Sequence, residues 1–130
     1  MTGFDAGSAV EPMEYNFETV PGGKGKGVIP EPSTSEMKRF QKEFAQIMRK
    51  GAALDVSDED AMKMTDKEFT DFQKKTDKIS EDLDSAIARL CKDTPSVEEV
   101  ASLPFRVKTK FSKWLMEQFA PEGGTAGTKQ

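Results

Sequence analysis

The residues of this chain that could do chemistry are few, and their spacing argues against it. The run Gly22-Gly23-Lys24-Gly25-Lys26-Gly27 has the composition of a phosphate cradle. A P-loop needs GxxxxGK followed by Ser or Thr, entered from a strand and leaving directly into a helix, so that amides and lysine converge on one phosphate chain. Here Val28, Ile29 and Pro30 follow, and the run reads as a flexible linker. Asp55, Asp58, Glu59 and Asp60 gather carboxylates densely enough to suggest calcium. An EF-hand loop requires a central glycine for its sharp turn and a closing glutamate at a fixed offset. Both are missing, which leaves a solvated acidic turn. Cys91 is the only cysteine and follows Leu90 near a predicted helix end, the setting of a small buried apolar residue. With no histidine in the chain, triads that use an imidazole base are excluded, as are the usual zinc sites. A single cysteine forms no disulfide within one chain and suits a reduced compartment. Carboxylate pairs recur on charged helix faces, where solvation accounts for them. The residues therefore predict a non-enzyme, with no catalytic, cofactor-binding or metal-binding residue.

What remains is the segment Leu103–Phe119, "LPFRVKTKFSKWLMEQF", with the only tryptophan, three phenylalanines and four cations. At about 100° per residue, Val107, Phe111, Trp114, Leu115 and Phe119 fall on one broad face. Arg106, Lys110 and Lys113 fall opposite, interrupted by Glu117. Lys108 stands at the rim of the apolar face, where its stem can lie along it. Phe105 and Met116 make a small second apolar patch. A DNA-recognition helix would flank its cations with base-reading Asn, Gln, Ser or Arg. This stretch carries one arginine in an acidic chain, which argues against nucleic acid. An interfacial membrane helix needs an uninterrupted cationic face, so a membrane role is not expected either. Two readings are compatible: the aromatic face closes the protein's own core, and part of it docks another helix.

The elements that must position this segment are helical. Ser33 and Glu36 form a capping box, and Met37, Phe40, Phe44, Ile47 and Met48 then recur at helical spacing up to a stop at Gly51. Ser57 can cap a short turn carrying Met62. Thr65 and Glu68 make a second capping box. Phe69, Phe72, Ile79, Leu83, Ala86 or Ile87 and Leu90 follow in steps of three and four once Thr76 is counted, a heptad-like seam. Pro95 ends that helix. Either Thr94 with Pro95 or Ser96 with Glu99 opens a short helix bearing Val97, Val100 and Leu103, and Pro104 opens the last one. Residues 1–32 are rich in glycine and proline and read as a flexible N-terminal arm. Within it, "EYNFETV" alternates loosely, which suits a short extended segment, and "VIPEP" should be extended because residues before proline avoid the helical region. The alternative for that arm is a motif that adds to a sheet edge or lays its aromatics on a groove. Pro121 and the glycines beyond it leave 121–130 as a disordered tail. The predicted class is all-α, a small helical hairpin or bundle over residues 33–120.

Bulk properties set the limits. The chain has 130 residues, 35% hydrophobic and 32% charged, with a net charge of -4 and a mean hydropathy of -0.63. One modest core is the most such a chain can bury, so a partner or a homo-oligomer would help it. No apolar run reaches membrane-spanning length, and no signal-peptide layout opens the sequence.

With these elements placed, the stretch "GKGVIPEPS" before the first long helix, and the block "LCKDTPSVEEVASLPFRVKTKFSKWLMEQF" with a Gly/Thr-rich basic tail after it, resemble tail assembly chaperones of long-tailed bacteriophages infecting actinobacteria. The resemblance is weakest over residues 52–78. It implies a helical, non-catalytic protein of the host cytoplasm. Such a protein binds the tape-measure protein during tail assembly, works alongside tail tube subunits, and is absent from the mature virion. A longer form made by frameshifting near the C-terminus is common in the family. An apolar docking face within a charged exterior suits that role, and the residues expected to form or border it are Phe40, Phe44, Ile47, Phe111, Trp114, Leu115 and Phe119. The alternatives are a structural virion protein, such as a head–tail connector or minor tail component, and a small DNA-binding regulator whose affinity would fall steeply with salt.

Overall fold

The computed structural model describes residues 13–119. Three capping boxes fix where helices begin. Ser33 Oγ accepts the Glu36 N–H at 3.1 Å while the Glu36 carboxylate accepts the Ser33 N–H at 2.7 Å, opening α1, Thr34–Ala53. Thr65 and Glu68 do the same for α3, Asp66–Leu90, and Ser96 and Glu99 for α4, Val97–Ala101. Each box satisfies two amides that the first turn would otherwise leave unpaired. Ser57 caps the short α2, Asp58–Met62, and α5, Phe105–Gln118, is entered through Pro104. Of the two starts open for α4, the one at Ser96 is used. The expected stop at Gly51 is overrun: Gly51 keeps a helical backbone instead of the left-handed one that a glycine stop uses, and α1 continues to Ala53.

Helices α1 and α3 pack antiparallel. Arg89 reaches Glu43 at 2.6 Å and Lys92 reaches Glu36 at 3.0 Å, exposed pairs that set register more than they add stability. Between the two helices lie Met37, Phe40, Phe44 and Ile47 from α1 and Ile79, Leu83, Ala86, Ile87 and Leu90 from α3. The architecture is thus a small helical bundle, as the periodicity predicts. The α3 seam is only half used. Its first three turns hold no buried residue, and Phe69 is exposed, as is Met62 on α2 at 86%. Periodicity is therefore present there without burial.

The arm behaves differently from the flexible segment expected over 1–32. From Met13 onward it is a hairpin seated on the bundle. Strand β1, Met13–Asn16, pairs antiparallel with β2, Lys26–Ile29, in the register Tyr15 opposite Gly27. A 3-10 turn, Phe17–Thr19, begins the connection. Alternation along the strands sends Tyr15, Phe17 and Ile29 into the common core and Glu14 and Asn16 away from it. An isolated two-stranded sheet is marginal in water; this one is stabilised by the aromatic surface it covers. Tyr15 also donates from its hydroxyl to Glu99 Oε1 at 2.9 Å, and Lys24 N–H donates to Ser102 Oγ at 3.1 Å, tying the hairpin to α4. Burial first, then the Glu99 carboxylate, pushes the Tyr15 phenol up to about 12. The glycine run read as a linker is the hairpin connection. Gly25 is needed there: its φ is 103° and a Cβ would run into the Glu99 carboxylate. Residues 1–12 and the tail expected at 121–130 lie outside the described residues.

One charged residue is placed where the helical wheel did not put it. Lys108 is buried, at 4% exposure, rather than at the rim. Its Nζ lies 2.7 Å from Asp84 Oδ1 on α3 and donates to Ser80 Oγ at 2.8 Å. Asp84 Oδ1 is close to the ammonium but receives no well-directed hydrogen bond, so charge rather than alignment holds the contact. Ser112 lies one turn on, fully buried, with its hydroxyl donating to the Lys108 carbonyl at 2.9 Å. Cys91 is buried as expected, and burial pushes its thiol up to about 12, so it carries no thiolate at neutral pH. Among the described residues no helix is long and apolar enough to cross a membrane.

Candidate partner-binding groove

Helix α5 presents three adjacent stripes, each a residue apart in sequence. Lys108, Ser112, Leu115 and Phe119 are buried against the bundle. Val107, Phe111 and Trp114 form the next stripe and are half-buried. Arg106, Lys110 and Lys113 form the third and are exposed. The wheel joins Val107, Phe111, Trp114, Leu115 and Phe119 on one face. In the structure Leu115 and Phe119 are buried as that face predicts, but they share the buried stripe with Lys108 and Ser112 while the other three lie beside it. The Asp84 carboxylate opposite position 108 offsets part of the cost of burying the Lys108 cation there.

The displaced aromatics meet the hairpin. Phe17 and Phe111 stand edge to face, with ring centroids 5.1 Å apart at 90°. Phe111 stacks on Trp114 at 5.8 Å and 18°, and Tyr15 closes on Phe17 from the core side at 4.8 Å. These geometries suit the quadrupoles of the rings. The result is an aromatic ladder that starts in the core at Tyr15 and emerges at the surface at Trp114. Between β1 and α5 it leaves a groove of about 340 Å³. Glu14, Asn16 and Val20 stand on the hairpin wall, and Val107, Lys110 and Trp114 on the helix wall.

Of the residues expected to make a docking face, this groove brings together two, Phe111 and Trp114. The others are core. Phe40 and Phe44 stack on each other at 6.1 Å and pack with Ile47 between α1 and α3. Leu115 and Phe119 are buried beneath α5. Their burial follows from size: a chain this short uses most of its large apolar side chains to close itself. No protein-family model, curated protein or solved structure matches the chain.

The hairpin's share of the groove, Tyr15, Phe17 and Val20, was outside the expected site. Its signal is the alternation in "EYNFETV", which fits aromatics laid on a groove; the groove turns out to be partly the protein's own. The acidic residues Asp58, Glu59 and Asp60 sit exposed in the first turn of α2, where carboxylates favour the positive end of a helix. Among the described residues, no group of three or more His, Cys, Asp or Glu is arranged to hold a metal ion.

Proposed function

We propose that the chain is a tail assembly chaperone of a long-tailed bacteriophage, a non-catalytic protein that binds an apolar segment of the tape-measure protein in the host cytoplasm. The client stays in solution on it until tail tube subunits assemble. Two lines support the reading: the resemblance in "GKGVIPEPS" and in the block from Leu90 to Phe119, and the groove between β1 and α5. The groove carries it. Stacked aromatics half open to solvent, with charged residues on both walls, have the make-up of a binding hot spot inside a polar rim. The α1 stripe, Leu115 and Phe119 leave the proposed face, and Val20 joins Phe111 and Trp114 on it, with Tyr15 and Phe17 buried behind them as support.

Co-expression with the cognate tape-measure protein tests this. Wild-type chain is expected to raise recovery of soluble client, and Trp114→Ala to lower it by about tenfold or more, the scale of a hot-spot truncation. Circular dichroism should report an unchanged fold, since Trp114 lies at the edge of the core. Equal recovery with a folded variant means the groove is not the client site. Mass spectrometry of purified particles should find no copies of the chain; stoichiometric copies favour the structural virion protein instead.

A further inference from the structure

The hairpin wall of the groove is a sheet edge. Phe17 N–H donates to the Gly25 carbonyl at 2.9 Å, and the register runs from there through Tyr15 opposite Gly27 to Met13 opposite Ile29. In an antiparallel pair, residues alternate between those whose main-chain groups point at the partner strand and those whose groups point away. Phe17, Tyr15 and Met13 therefore point at β2, and Glu14 and Asn16 point outward. Those two residues line the groove. The sheet has only two strands among the described residues, and the outward Asn16 carbonyl there accepts only a long bond from the Thr19 hydroxyl, at 3.4 Å. Among these residues the outer edge of β1 therefore has no strand partner and is of the kind that templates another strand.

Across from that edge stand Val107, Phe111 and Trp114. A chain laid along β1 would turn alternate side chains onto this apolar wall and the rest to solvent. Charge narrows the occupant further. Two charged residues line the groove, Lys110 on the helix wall and Glu14 on the hairpin wall. Neither makes an ion pair among the described residues, and neither do the exposed Arg106 and Lys113, which flank Lys110 on α5 and make the helix side cationic. We propose that the groove takes its client as an extended strand added to the outer edge of β1. The segment carries apolar residues at alternate positions and a carboxylate beside Lys110. This rests on the groove being the client site, and it specifies the conformation and chemistry of what is bound.

Proline at position 14 separates the possibilities. The Glu14 N–H points away from β2, so Glu14→Pro leaves the hairpin ladder intact, while it removes a donor from the open edge and puts a ring in the path of an added strand. Glu14→Ala removes only the side chain. Overlapping peptides spanning the cognate tape-measure protein are titrated against both variants, Trp114→Ala and wild type by fluorescence anisotropy. Strand addition predicts that Glu14→Pro binds the tightest peptide about tenfold or more weakly than Glu14→Ala does, which takes the loss of the side chain out of the comparison, and that Trp114→Ala weakens it too. If the two position-14 variants bind alike while Trp114→Ala binds weakly, the client lies in the groove without using the edge, as a helix would. Strand addition is then overturned and the groove stands. If Trp114→Ala also binds as wild type, or no peptide binds, both readings fall. Should Glu14→Pro not fold, amide exchange in the wild-type complex decides. Slower exchange at Glu14 and Asn16 is expected, and unchanged exchange at both overturns the proposal.

Discussion

Asp84→Ala is expected to lower the stability of the fold by about 3–5 kcal/mol, the scale on which removing one partner of a buried ion pair acts. Lys108 and Asp84 are nearly inaccessible, with side chains at 5% and 7% exposure. Without the carboxylate, the Lys108 ammonium keeps one hydrogen bond, to Ser80, and has no nearby countercharge. It must then stay charged in a low dielectric, lose its proton, or pull α5 off α3 to reach water. The double variant Asp84→Leu/Lys108→Met separates the pair's net contribution from the penalty of breaking it. Its stability should lie near wild type or above it by about 1–4 kcal/mol. Urea denaturation measures both. A small loss in the single variant would mean that α5 is held to α3 by its apolar contacts alone.

Phe17→Ala should cost about 3–5 kcal/mol, as truncation of a buried aromatic does, and its consequence is local as well as global. Among the described residues, Phe17 is the one aromatic side chain that joins Tyr15 to Phe111 in the ladder. Truncating it removes the hairpin's main anchor, and the two strands have little stability alone. The groove should therefore lose one wall while the α1–α3 pair persists. Phe111→Ala, half-buried on the helix side, should cost less. Thermal unfolding gives the ranking, and exchange of the β1 amides shows whether the hairpin has detached. Equal losses for the two variants would mean that the hairpin is held elsewhere, for example through Tyr15 and Glu99.

The helices were legible because their signals are local. A capping box needs two residues three apart, and Ser33/Glu36, Thr65/Glu68 and Ser96/Glu99 each open a helix where the sequence places it. The face that a helix buries depends on what lies opposite, which periodicity does not carry. In α5 the wheel identified an apolar face correctly as a set of neighbours. It could not show that Asp84, on another helix, would stand opposite Lys108, or that Phe111 and Trp114 would meet the hairpin. The same holds for α3, where Phe69 repeats in register with Ile79 and Leu83 but is left exposed. The hairpin was half legible. Its extended segments follow from alternation and from the residue before proline, yet their pairing and burial depend on a surface supplied by distant residues. The docking residues divided the same way, with Phe111 and Trp114 at the surface and Phe40, Phe44, Ile47, Leu115 and Phe119 in the core.

Because Trp114 is the only tryptophan and stands half-buried in the groove, its fluorescence reports on that site alone. The most direct measurement is the emission of Trp114 and its quenching by acrylamide as a tryptophan-free tape-measure fragment is titrated in. A client seated in the groove shifts the emission to the blue and shields the ring from acrylamide, with the same midpoint as binding. A client that binds while emission and quenching stay unchanged is held somewhere else, and the groove then has no part in the function proposed for it.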